Sequence, residues 1–202
     1  MLCPTAAWGT VPSMDFAAKP VLTGERTILR PFTARDADTM WEIVNDPEVV
    51  RFTFEPDTEL TPERLRAWYG VRTADPDRLD LAVTDRATGE LVGEVVLYDW
   101  DPAARGCTFR TLIGARGRGR GLGSEATRPI VGHGFERAGL HRVQLEVYAH
   151  NARARRVYEK AGFVVEGIRR EAALRDGVWV DEVLMAVLEH EWAAHARGAG
   201  DG

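Results

Sequence analysis

Apolar and polar residues alternate from Arg26 through RTILRPF, which predicts a strand, and the period then changes. Ala37, Met40, Trp41 and Val44 recur every three or four positions behind Thr33, the buried stripe of a capped helix that Pro47 closes. A cap followed by proline at Thr61 and Pro62 opens a second helix, TPERLRAWYGV, with Leu65 and Trp68 inward. Between them lies a loop, DPEVVRFTFEPDTEL, whose apolar residues need a surface to cover.

The middle of the chain alternates with period two. LDLAVTD and ELVGEVVLYDW are separated by RATG, a hairpin turn, and CTFRTLI follows DPAARG, giving three antiparallel strands. Leu122, Ala126, Ile130, Val131 and Phe135 then return to helical spacing. Pro129 removes a backbone donor from this helix and clashes with the carbonyl of Glu125, and Gly132 and Gly134 weaken the next turn, so a kink is expected. HRVQLEVYAH alternates as a strand. NARARRVYEKAG reads as a helix capped by Asn151 and stopped by Gly162. FVVEGIRREAAL and VWVDEVLMAVL form a final hairpin, its second strand apolar on both faces from Val183 to Leu188, as a covered strand is. The order predicts an α/β fold: a mixed, mostly antiparallel central sheet flanked by helices, with crossovers in its second half. Residues 1–20 and 194–202 are expected to be disordered tails around a single domain spanning 21–193.

A chain of 202 residues with 45% hydrophobic content suffices for one ordinary core. Cys3 and Cys107 suit a reducing compartment better than a disulfide framework. The first residues lack the charged and apolar regions of a secretory signal, and no apolar run approaches the roughly 18 residues of a membrane span. The expectation is a soluble, cytoplasmic protein without a membrane partner. A net charge of −5 argues against a general nucleic-acid binder.

One stretch demands chemistry. RGRGRGLGSEA, Arg116 to Ala126, sits between a strand ending at Ile113 and a helix beginning near Leu122. Free amides at the positive end of a helix bind phosphate without any particular side chain. Arg116, Arg118 and Arg120 add charge at the rim. Lys19 and Lys160 are the only lysines, so the phosphate lysine of a Walker A loop is missing. A dinucleotide fingerprint requires the first strand of a βαβ unit and an acidic residue about 20 positions on, whereas here the loop follows three antiparallel strands and the matching region holds only FERAGLH. A solvated arginine-glycine segment remains the plain alternative.

RGRGLG, Arg118 to Gly123, and NARARRVYEKAGF, Asn151 to Phe163, resemble in order and spacing the two signatures of the GNAT superfamily of acyl-CoA-dependent N-acetyltransferases. DEVLMAVLEHEW resembles the usual ending of the branch that contains ribosomal-protein N-terminal acetyltransferases. The resemblance implies the GNAT-like fold, acetyl-CoA as acyl donor and CoA as product. It places the diphosphate on the amides of Arg118, Gly119, Arg120, Gly121, Leu122, Gly123 and Ser124, the pantetheine arm along Thr111 and Ile113, and an amide of that arm near Asn151. Arg155 or Arg156 would meet the adenosine phosphates.

Tyr158, two helical turns after Asn151, matches the tyrosine such enzymes use beside the thioester sulfur, and a protonated phenol can donate to a leaving thiolate. Glu94 and Glu146 are the candidate bases, each on a predicted strand; His133 and His150 are weaker ones. Cys107 reads as a small buried hydrophobe rather than a nucleophile. Phe52, Phe54, Trp68, Tyr98 and Trp100 offer apolar walls, and Glu55, Asp57 and Asp99 could attract an amine. The acceptor is then a protein N-terminus or a small amine such as an antibiotic, amino acid or polyamine, and a non-catalytic acyl-CoA-binding protein is the rival reading. A homodimer is common among similar enzymes. Two departures from the pattern are Pro129, where a regular helix is usual, and Ala154, where serine is frequent.

Overall fold

The computed structural model describes residues 16, 18–53, 61–72 and 74–198. Eight strands form one sheet in the order β1-β2-β3-β4-β5-β6-β8-β7. They are β1 (Leu22–Thr23), β2 (Thr27–Arg30), β3 (Leu79–Asp85), β4 (Leu91–Asp101), β5 (Gly106–Ile113), β6 (Arg142–Tyr148), β7 (Val164–Arg175) and β8 (Val178–Leu188). Every neighbouring pair is antiparallel except β5 and β6, which run parallel because α4 (Leu122–Glu136) carries the chain across between them. The mixed sheet expected from the sequence is present.

The apolar stripes bury as two clusters. One packs Val95, Leu97, Ile130, Val131, Leu145 and Met185 together beneath α4. The other joins Met40, Ile43, Leu65, Tyr69, Ala82 and Leu112 beneath α1 (Ala37–Val44) and α3 (Pro62–Arg72). β8 lies between β6 and β7, which explains why its second half is apolar on both faces.

Several expectations are corrected. Pro47 opens a helix rather than only closing one: α2 (Pro47–Phe52) is capped by Asp46, whose carboxylate accepts from the amides of Glu48 and Val49. In α3 it is Tyr69, not Trp68, that turns inward, at 4% exposure against 45%. α4 contains Pro129 within its span. The expected N-terminal tail is packed at its end, where Phe16 is buried in the first cluster and Lys19 bonds the carbonyls of Asp75 and Arg78. The expected C-terminal tail from 194 is helical instead: α6 (Glu189–Gly198) follows β8 and seats Trp192 against Phe135. Residues 1–15 and 199–202 lie outside the described residues, as do Phe54, Glu55 and Asp57. No helix among the described residues is long and apolar enough to cross a membrane.

Candidate active site

β5 and β6 pair only over Gly106↔Arg142, Cys107↔Val143 and Thr108↔Gln144. Beyond that point β5 stays bonded to β4 as far as Ile113, and β6 to β8 as far as Tyr148, so the two strands part like a wedge. The backbone edge of Phe109 to Ile113 therefore faces a gap instead of a partner strand. A cleft of about 490 Å³ fills it.

The glycine loop closes one end of this cleft. Gly119 and Gly121 have φ of +73° and +75°, a left-handed backbone that favours glycine. A Cβ at Gly123 would stand 3.1 Å from Ile113 and one at Gly117 2.8 Å from it, so the loop lies against the end of β5 because those side chains are absent. The helical ladder of α4 starts with Glu125 N–H donating to the Gly121 carbonyl at 3.0 Å. The amides of Leu122, Gly123 and Ser124 precede it and have no carbonyl one turn back to bond, which leaves donors and the positive end of the helix dipole at the cleft.

The charged residues around the loop hold it in place. Arg118 is clamped by Asp46 through two bonds of 2.8 and 2.7 Å, and this guanidinium keeps the Asp46 carboxyl below the usual carboxylate range. Arg120 reaches Asp85 at 2.5 Å, and Arg116 turns to Glu42 and Glu90. Glu125 accepts from the backbone of Arg26 and Thr27 at 2.7 and 2.9 Å, which ties the first turn of α4 to β2. Burial opposes ionisation of Glu125, yet the bonds from Arg26 and Thr27 outweigh it and lower its pKa.

Of the residues singled out in the sequence, Thr111, Ile113, Arg118, Gly119, Gly121, Gly123, Ser124, Glu146, Asn151 and Tyr158 line the one cleft. Arg116, Arg120, Leu122 and Arg155 are not among its walls; Leu122 is buried at 2% exposure. Asn151 caps α5 (Ala152–Lys160) by accepting from the Ala154 amide at 3.1 Å. One helical face thus carries Asn151, Ala154, Val157 and Tyr158 into the cleft. Tyr158 packs edge-on to Phe109 and beside Phe163, and burial, with a smaller push from Tyr98, raises its phenol above the ordinary range.

Glu94 lies behind the cleft rather than on it. Its carboxylate, 4% exposed, accepts from Arg110 at 2.6 Å and from the Tyr69 hydroxyl at 3.0 Å, while Arg110 itself lines the cavity. Glu146 faces the cavity and pairs with Arg169 at 2.6 Å. Among the proposed walls, Phe52 and Tyr98 line it; Trp68, Trp100 and Asp99 do not. Burial pushes the Cys107 thiol up to about 12, the behaviour of an inert core residue.

Sequence reasoning missed four charged cleft residues: Glu48, Arg110, Arg153 and Glu182. Glu48 meets Arg153 at 2.5 Å and Arg118 at 3.4 Å, bringing α2 against the loop end. The pairing of Asp46 with Pro47, a cap before an N1 proline, was the signal that could have placed Glu48 on a helix start.

Residues 26–164 match the acetyltransferase (GNAT) domain family, so the chain belongs to that family. It is 27% identical to the spermidine N(1)-acetyltransferase of Escherichia coli K12 over 172 residues, 85% of this chain and 91% of the relative. It is 28% identical to the L-amino acid N-acetyltransferase AaaT of the same strain over 164 residues, covering 79% and 96%. The crystal structure of spermidine N-acetyltransferase from Vibrio cholerae in complex with CoA and spermine superposes with a TM-score of 0.77 at 24% identity, covering 84% and 99%, which establishes the common fold.

Proposed function

We propose that this protein transfers the acetyl group of acetyl-CoA directly to a primary amine in the β5–β6 cleft. The observation that carries the reading is the convergence of three parts on one cavity: first-turn amides of α4, the cleft-facing edge of β5, and the buried phenol of Tyr158. The residues fit the donor. A diphosphate suits the amides from Gly119 to Ser124 with Arg118 and Arg153 beside them, and an extended amide-bearing arm suits the open edge of Phe109 to Ile113, much as an added strand would. Acetyl-CoA would supply a thioester whose C–S bond breaks as the amine nitrogen bonds the carbonyl carbon.

The chain's own groups then have separate tasks. The strand edge and Asn151 align donor and acceptor, and alignment is worth up to about 7 to 11 kcal/mol of the barrier. Tyr158 gives its proton to the departing sulfur. Glu146, half-exposed in the cleft although paired with Arg169, draws off the proton shed by the amine through water. Glu94 is committed to Arg110 and Tyr69 and serves by fixing Arg110. A single catalytic unit, the cytoplasmic location and assembly as a homodimer belong to the same proposal.

Steady release of CoA thiol from acetyl-CoA in the presence of an amine tests the reading, and binding without any turnover would select the non-catalytic alternative. Gly121→Glu places a charged side chain on a left-handed backbone position, with its Cβ 3.1 Å from the Arg26 guanidinium. Calorimetry should show acetyl-CoA binding abolished, and unchanged affinity would remove the loop from the cofactor site.

A further inference from the structure

We infer that Glu182 and Glu146 together seat a positively charged nitrogen of the acceptor, and that the acceptor is a cationic amine without a carboxylate next to its reacting nitrogen. This rests on the acetyl-transfer reading above and names the substrate class for the same cleft.

The sheet register brings the two carboxylates together. Glu146 on β6 lies opposite Leu184 of β8, and Tyr148 opposite Glu182, so the two glutamates are diagonal neighbours on one face of the sheet. On the other side of β8, Arg169 of β7 stands directly across from Glu182. Its guanidinium is shared, with Nη1 2.6 Å from Glu146 and Nη2 2.7 Å from Glu182. Two carboxylates on one guanidinium leave a formal charge of about −1 on the group.

Glu182 is the less exposed of the two, with 13% of its side chain accessible against 48% for Glu146. Its Oε2 is shut off from solvent, and although Arg169 comes within ion-pair distance it makes no hydrogen bond there. A mostly buried carboxylate short of donors is costly, and a cation in the cleft offsets part of that cost through its charge, without touching Oε2. Both glutamates line the cavity, so such a cation can reach them.

Of the neighbouring guanidiniums, Arg110 holds Glu94, Arg118 holds Asp46 and Arg153 holds Glu48. Arg175 donates to the Tyr148 hydroxyl and the Thr53 carbonyl, neutral partners, and is not among the cavity walls. A carboxylate on the acceptor would meet Glu146 and Glu182 as a like charge, which selects against amino acids.

Steady-state kinetics of the full chain with acetyl-CoA decide the matter, using spermidine, an L-amino acid and a short peptide with a free N-terminus as acceptors. Spermidine should be preferred by the native protein. Glu182→Gln should raise KM for spermidine about 10- to 100-fold while leaving KM for acetyl-CoA within about twofold, and Glu182→Asp should recover part of the loss. An unchanged KM for spermidine in Glu182→Gln, or preference of the native protein for the amino acid or the peptide, overturns the assignment. Failure of every acceptor to release CoA overturns the transferase reading itself and this inference with it.

Discussion

At the scale of single residues, the environment of Tyr158 says more about its role than its identity does. The ring is held between Phe109 and Phe163, and the low polarity that buries it also keeps the phenol protonated well beyond neutral pH. A phenol that keeps its proton in the working range meets the requirement of the proposed proton donor. Tyr158→Phe should therefore lower kcat by roughly 10²- to 10⁴-fold and leave acetyl-CoA affinity within a few-fold; full activity in a direct rate assay would reject the role. The spacing of Tyr158 from Asn151 made the shared helix face legible in the sequence; the role itself was implied only by the resemblance to the family. Glu94 was legible only as a strand carboxylate. Its partners, Tyr69 from α3 and Arg110 from β5, are 25 and 16 positions distant, and it is they that withdraw it from the cleft. Spacing along one strand cannot report which helix covers it.

Among the elements, α2 has the largest consequence. Asp46 does two jobs: it caps α2 through the Glu48 and Val49 amides, and it clamps Arg118 of the glycine loop. The cleft wall formed by Val49, Phe52 and Thr53 is thereby tied to the glycine-loop end. The two jobs can be separated. Asparagine caps a helix about as well as aspartate, whereas alanine does not, so Asp46→Ala should cost about 1 to 2 kcal/mol more than Asp46→Asn in chemical denaturation. Equal losses would mean that the ion pair, not the cap, sustains α2. The sequence missed this element because a six-residue helix shows too little periodicity to stand out. Trp68 and Tyr69 were exchanged for a related reason, since both neighbours suit an inward position and the stacking of Tyr69 on Phe32 at 4.2 Å decides between them.

For the whole molecule, the distribution of shifted groups sets how stability follows pH. Asp46 and Glu166 are lowered chiefly by Arg118 and Arg142; Asp36 is lowered because, against its burial, Arg30 and Thr33 hold the ionised form. A carboxyl with a lower pKa in the folded state stabilises fully above its unfolded value and loses that contribution as pH falls through the folded one. Burial lowers His133 too, so its neutral form is favoured and its contribution declines below the ordinary histidine pKa of about 6.5. At the other end, burial raises Cys107, Tyr69, Tyr98 and Tyr158, whose contributions are complete below their unfolded values and fade as the pH climbs past them. Tm should form a plateau near neutrality, decline in steps below about pH 6.5, and fall again above about pH 9. A Tm still rising down to pH 4, followed by scanning calorimetry, would contradict this arrangement. Periodicity, caps and turns along the chain determined the strands, most helices, the glycine loop and the two signature stretches, because those features depend on residues within a turn or two of one another. Only the tertiary structure decided that β5 and β6 part after three pairs, that Glu94 is sequestered while Glu146 and Glu182 share Arg169, and that α2 grips the loop. Each of those depends on packing and charge between segments distant in sequence, and such distances carry no local pattern.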